Sequence, residues 1–162
     1  IHNIPLVMAG PGIATRTETD ACVGLPDLCP TLLELTGAPP IDVPDSRSFA
    51  PLLADPSGAA DRFRSAYGET HGCRFTHQQR VLWRDDWKFV FNGFEYDELY
   101  DLAADPHETR NLAAALACAE RAREMMAGIW RVVEGTNDRS LFETHYPPMR
   151  MACVGPGAGE RR

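Results

Sequence analysis

"ELYDLAADPHETRNLA", Glu98–Ala113, sets acids, a histidine and an arginine around an Asp-Pro step, between aromatic sequence on one side and alanine- and leucine-rich sequence on the other. In "ELYDL" adjacent side chains alternate, so Leu99 faces opposite Tyr100, as in a strand with one face toward a core. Asp105-Pro106 ends that strand, because proline restricts the residue before it and has no N–H for a ladder. Glu108 can accept amides at the turn, and Asn111 is placed to cap a helix starting near Leu112. Each polar group has a local structural role. A metal site would need ligands converging from several directions onto one point, and His107, read as a turn or surface histidine, does not supply that.

Upstream, the pattern is one of aromatic strands. "SAYGETHG", "QRVLW", "WKFVFNG" and "YDELYDL" read as four strands, with turns at Asp85-Asp86 and Asn92-Gly93. Trp87, Phe89 and Phe91 share one face, and Lys88, Val90 and Asn92 share the other, which predicts a half-buried antiparallel meander. Downstream, Leu112, Leu116, Ala119, Met126, Ile129 and Val133 recur at helical spacing, with Arg and Glu filling much of the opposite face in "AERARE". This helix is expected to bury the aromatic face of the meander. Beyond Gly135, "THYPPMRMACVGPGAGERR" has no regular period and reads as a draping loop with a Gly-rich end.

Toward the N-terminus, "LPDLCPTLLELTG" predicts a helix capped by Asp27, with Pro30 in its first turn and Gly37 as a left-handed terminator. Leu28, Leu32 and Leu35, helped by Leu25, make the stripe expected to be buried. "APPIDVPDSRSFAPLLADPSG" carries five prolines and reads as an irregular segment anchored by Phe49, Leu52 and Leu53. "IPLVMAGPG" suits a strand covered on both faces, yet the next hundred residues offer no obvious neighbours, and the chain reads as cut from something longer.

The 162 residues suffice for one domain with two subregions. A formal charge of -7 disfavours a nucleic-acid footprint, which needs clustered Lys and Arg. No run approaches the roughly 20 apolar residues needed to span a bilayer, so membrane insertion is not expected. Cys22, Cys29, Cys73, Cys118 and Cys153 are odd in number and lack metal or redox spacing, which disfavours a disulfide scaffold. They lean toward a cytoplasmic setting, with a periplasmic or secreted parent left open.

Four ordered blocks resemble sulfatases of the alkaline-phosphatase superfamily. "ELYDLAADPHETRNLA" is similar to their C-terminal signature, and "IPLVMAGPGI" to a late strand of the central sheet. "LPDLCPTLLELTG" with "RSFAPLL" resembles V-D-L-x-P-T-L-L-x-L-x-G followed by G-x-S-L-x-P-L-L, and "QRVLWRDDWKFVFN" resembles R-x-x-R-x-x-x-x-K-Y-I-x-N. The resemblance implies an α/β fold: the C-terminal part of an alkaline-phosphatase-like sulfatase, with a small antiparallel sheet packed against a C-terminal helix. It divides the chain into 1–62, the end of the α/β catalytic domain; 63–135, the sheet-and-helix subdomain; and 136–162, an irregular tail.

The resemblance further implies hydrolysis of sulfate esters by a formylglycine, made from the Cys or Ser of C/S-x-P-x-R, beside a divalent cation, calcium by preference. No Cys or Ser here begins that motif, and the acidic metal block and the D-H-G segment are absent. The expectation is therefore that this chain holds neither cofactor nor catalytic residue and is inactive alone. Its partners are the missing N-terminal portion and a small sulfate-ester substrate, with homo-oligomerisation as another way to cover the first strand. A phosphodiesterase or phosphonate monoester hydrolase, and a non-catalytic binding or structural module, are the alternatives.

"GETHGCRFTHQQR" is the candidate substrate rim. Gly68 and Gly72 permit close turns, and His71, Arg74, His77 and Arg80 can donate hydrogen bonds to a sulfated ligand. A solvated strand edge is the plainer reading, and Arg80 has its own alternative in pairing with an acid or a carbonyl. Trp83 and Trp87 could stack on a substrate but sit at positions suited to core packing. Pro147, Pro148 and Met149 could form an accessory lip.

Overall fold

The computed structural model describes residues 4–72, 78–93, 95–138 and 152–155. The chain divides into two compact units, Ile1–Arg64 and Ser65–Arg162.

In the second unit, strands β1 (Ser65–His71), β2 (Gln78–Arg84), β3 (Trp87–Asn92) and β4 (Glu98–Asp101) form one antiparallel sheet in chain order. The register sets Tyr67, Leu82, Phe89 and Leu99 in one cross-strand row and Glu69, Arg80 and Phe91 in the next. The long helix that packs on this face, Ala119–Gly135, is the fourth α-helix of the chain. Its Ala122, Met125, Met126, Ile129, Trp130 and Val133 join Leu82, Phe89, Phe91 and Leu99 in one buried cluster. The alternation of apolar residues along the strands and the 3.6-residue period of the helix meet there, as the sequence predicts.

Two details depart from the sequence reading. The helix starts at Ala119, not near Leu112, and Leu116 is 94% exposed. Residues 111–113 are instead tied to the outer edge of β4. The Asn111 side-chain oxygen accepts from the Leu99 and Ala113 amides at 3.1 and 2.9 Å, and the Leu112 N–H donates to Leu99 O at 2.8 Å. These bonds occupy donors and acceptors that an edge strand otherwise exposes, and they fix the chain outside helical geometry. Second, the sheet is not half-solvated. Val81 and Val90 lie directly opposite one another and are buried, and so is Asn92. Asn92 is tolerated there because its amide donates to Tyr96 O and Glu98 Oε1 and accepts from Gln79 Nε2. The long helix ends at Gly135, where the sequence loses its regular period, and Asn137 closes it. Asn137 has φ +53°, and the Asp138 N–H returns to Val133 O at 2.9 Å. That is a Schellman closure, for which Asn is the commonest substitute for Gly.

Gly128 lets this helix approach β2 closely, since a Cβ there would stand 2.6 Å from Leu82 Cδ2. Part of the tail lies on the same helix: the Trp130 indole N–H donates to Val154 O at 2.7 Å, and Ala152 and Val154 pack on the cluster.

In the first unit, α1 (Leu28–Thr36) ends at Gly37, whose φ of +66° is the left-handed terminator expected from sequence. Helices α2 (Ala50–Ala54) and α3 (Pro56–Ala59) follow, which makes the long helix α4. Phe49, Leu52, Ala59 and Phe63 form a small core with Met8, Val23, Leu28 and Leu53 against it. Asp27 does not cap α1. Its carboxylate accepts from the amides of Gly24 and Arg47 at 2.9 and 2.8 Å, while Thr31 Oγ1 donates to Asp27 O and accepts from the Phe49 amide. These bonds pin the 47–49 segment across the Thr31 face of the helix.

That choice of face corrects the predicted leucine stripe: Leu25, Leu32 and Leu35 are exposed, and Thr31 is the buried residue of α1. Nor is "IPLV" a strand. Among the described residues of this unit no strand is present to pair with it, and Ile4, Leu6 and Val7 are exposed. A β conformation needs a neighbouring ladder for its amides and carbonyls.

Candidate functional site

The predicted rim residues fall where β1 turns into β2. His71, the last residue of β1, pairs with Gln78, the first of β2. Arg74 and His77 lie outside the described residues.

Arg80 is fully enclosed, at 0% exposure. Its Nε donates to Asp138 Oδ2 at 2.9 Å, one terminal nitrogen reaches the same oxygen at 2.5 Å, and the other donates to Gln79 O at 3.0 Å. Nε also stands 3.5 Å from Glu69 Oε2. A buried guanidinium requires such saturation, since an uncompensated charge away from water is costly. Pairing with acids and a carbonyl, the alternative the sequence left open for Arg80, is what the geometry shows. His71 stands 3.4 Å through Nε2 from Glu69 Oε1, with about half of each side chain exposed. Glu69 therefore touches Arg80 with one oxygen and His71 with the other.

Tyr67 lies on the same face of β1. Burial pushes its phenol well above the ordinary range, an effect the Arg80 charge partly offsets. Among the described residues its buried hydroxyl has no partner at full hydrogen-bond geometry, although the Arg80 guanidinium lies close enough to act on it, and buried Gln78 Oε1 has none. Glu69 and Tyr67 could have been found from sequence, because they share the two-residue period of His71. Asp138 could not, since it lies 58 residues from Arg80 and is delivered by the end of α4.

The other candidates are held by packing. Trp87 is partly buried against the core cluster with the Arg121 guanidinium 5.3 Å above its ring, and Trp83 lies 5.8 Å from Lys88 Nζ on the opposite face. Pro147, Pro148 and Met149 lie outside the described residues.

The loop that follows β4 is a structural junction. Asp105 accepts from the Thr109 hydroxyl and the Arg110 amide, and amide hydrogen bonds from Thr109 and Arg110 hold its carboxyl below the usual range. Glu108, at φ +53°, pairs with Lys88 Nζ at 2.5 Å instead of accepting turn amides. Among the described residues no group of three or more His, Cys, Asp or Glu side chains is placed to hold a metal ion. The donor set among the described residues does not fit the divalent cation that the resemblance implies, and no C/S-x-P-x-R sequence occurs to supply a formylglycine.

A four-stranded antiparallel sheet backed by a long C-terminal helix, in a chain whose other unit is helical, is the α/β architecture of sulfatases of the alkaline-phosphatase superfamily. A 2-O GAG sulfatase superposes with a TM-score of 0.71 at 27% identity, over 95% of this chain and 34% of that one. Arylsulfatase K of Gallus gallus is 32% identical over 119 residues, and that of Danio rerio 31% over 117. These alignments take in 68% and 69% of this chain but 22% of either relative, so the chain spans about a fifth of the curated relatives it matches. The family model described as N-sulphoglucosamine sulphohydrolase, C-terminal, matches residues 2–134, and the chain belongs to that family.

Proposed function

We propose that this chain is the C-terminal part of a sulfuric-ester hydrolase whose nucleophile and metal ligands lie outside it. The observation that carries this reading is the family match over residues 2–134 in a chain with no nucleophile motif. Residues 1–62 would close the α/β catalytic domain, 63–135 would form the subdomain against the cleft, and 136–162 the tail. The exposed Ile4, Leu6, Val7, Leu25, Leu32, Leu35 and Ile41 support it, because a run of large apolar side chains left to water is the usual mark of a surface that another segment covers.

The substrate is a small sulfate ester, in keeping with the names of the arylsulfatase K relatives and the 2-O GAG sulfatase. A divalent cation, calcium by the family resemblance, and a formylglycine would come with the rest of the protein and supply the electrophilic and nucleophilic chemistry. This chain's contribution is to shape the cleft wall at the β1–β2 junction. His71, Arg74 and His77 would donate hydrogen bonds to sulfate oxygens or to the alcohol portion, and Arg80 would stiffen the strands that carry them.

The test is turnover of 4-nitrophenyl sulfate and of a 4-nitrophenyl phosphonate monoester by the full-length protein and by this chain alone. The full-length protein is expected to hydrolyse the sulfate faster, and the chain alone to do nothing. Turnover that scales with the concentration of the isolated chain would overturn the division of labour. Preference for the phosphonate would move the activity to the phosphonate-hydrolase branch.

A further inference from the structure

We infer that Glu69 is a positioning residue for His71: its carboxylate, anchored by the buried Arg80 and through it by Asp138 at the end of α4, fixes the imidazole at the rim of the cleft. The inference rests on the reading of His71 as a substrate contact. An exposed Glu–His pair two residues apart on a strand would ordinarily be worth little, because both side chains are free to move and water screens them. Here one end of the pair is not free.

Glu69 lies directly opposite Arg80 in the β1–β2 register, so the two charges form a cross-strand pair. The guanidinium cannot move away, being enclosed and bonded to Asp138 and Gln79 O. Asp138 is itself set by the return of its N–H to Val133 O at the close of α4. These elements hold a fixed positive charge 3.5 Å from Glu69 Oε2, which attracts the half-exposed carboxylate toward Arg80 while its other oxygen stands 3.4 Å from His71 Nε2. An imidazole whose Nε2 faces the carboxylate at 3.4 Å presents Nδ1 to a ligand, as an acceptor for a substrate hydroxyl in the neutral ring and as a donor to a sulfate oxygen only in the imidazolium. Such outer partners fix ring orientation at a site without touching substrate.

The experiment measures kcat and KM for 4-nitrophenyl sulfate in the full-length protein, for Glu69→Gln, His71→Ala and the double variant. Glu69→Gln is expected to raise KM about tenfold, as loss of orientation at a binding group does, with kcat changed by less than about threefold. The double variant should be no worse than His71→Ala, since Glu69 acts through His71. Asp138→Asn should raise KM in the same direction. A fold defect would lower kcat through the active fraction and leave KM alone, so the split separates positioning from stability.

Independent, multiplying effects in the double variant, or an unchanged KM in Glu69→Gln beside a raised one in His71→Ala, would overturn the inference and leave the rim reading standing. An unchanged KM in His71→Ala would remove the rim reading itself, and absence of wild-type turnover on this ester would remove both.

Discussion

Replacing Gly128 by alanine sets helix propensity against packing. In an unconstrained helix the change would stabilise by about 1 kcal/mol. At this position the new methyl would lie 2.6 Å from Leu82 Cδ2 and 3.1 Å from an Arg84 terminal nitrogen. Carbon atoms pack at about 3.5–4.0 Å, so Leu82 or the helix must give by roughly 1 Å. Leu82 is 2% exposed and sits among Phe89, Leu99 and Met126, with no open side to move into. Overpacking of this kind costs about 1–3 kcal/mol, which leaves Gly128→Ala destabilising by about 1 kcal/mol net. Leu82→Ala alone should cost about 2–5 kcal/mol, but it vacates the space the new methyl needs. In that background Gly128→Ala should become neutral or stabilising, a coupling of about 1–3 kcal/mol. Urea unfolding followed by the fluorescence of Trp130, which is buried in the same cluster, reads all four corners of the cycle. If Gly128→Ala alone raised stability by the full propensity gain, α4 would not be in close contact with β2 and the packing argument would fail.

Asn111→Ala removes the acceptor for two amides and the donor to Asp97 O. It should cost about 2 kcal/mol and strip hydrogen-exchange protection from the Leu99 amide. Glu108→Ala loses the Lys88 pair and keeps a left-handed residue, whereas Glu108→Gly loses the pair but relieves the backbone. The glycine variant should be the more stable of the two by about 1 kcal/mol in thermal melts. Burial, with the hydrogen bond to Glu98, pushes the Tyr100 phenol up to about 12, against about 10 in an unfolded chain. The folded state holds this proton the tighter. Its contribution is therefore complete below about 10 and lost as pH rises toward about 12. Tyr100→Phe should flatten the fall in melting temperature across that window; an unchanged slope would mean that Tyr100 is not the group responsible.

The strands of the second unit were legible because alternation is a local signal: Trp87, Phe89 and Phe91 on one face and Lys88, Val90 and Asn92 on the other follow from the pleat alone. The start of α4 was not. Leu112 and Leu116 continue the helical period, and only the bonds of Asn111 and Leu112 to Leu99, an element passed 12 residues earlier, decide that this segment serves the sheet. The leucine stripe of α1 failed for a related reason. Periodicity says that a helix has an apolar face, but whether that face is covered depends on residues elsewhere, and here Asp27 and Thr31 draw the 47–49 segment onto a different side.

The candidate site divides in the same way. The order of the motifs by itself pointed to the family and to the lack of a nucleophile sequence, since both depend on residue identity and nearby spacing. Tertiary structure alone decided that Arg80 is enclosed, that its counterion is Asp138, and that Glu69 bridges it to His71. A charge buried between two strands and the end of a helix is set by the sum of three backbones, and no local pattern encodes that sum.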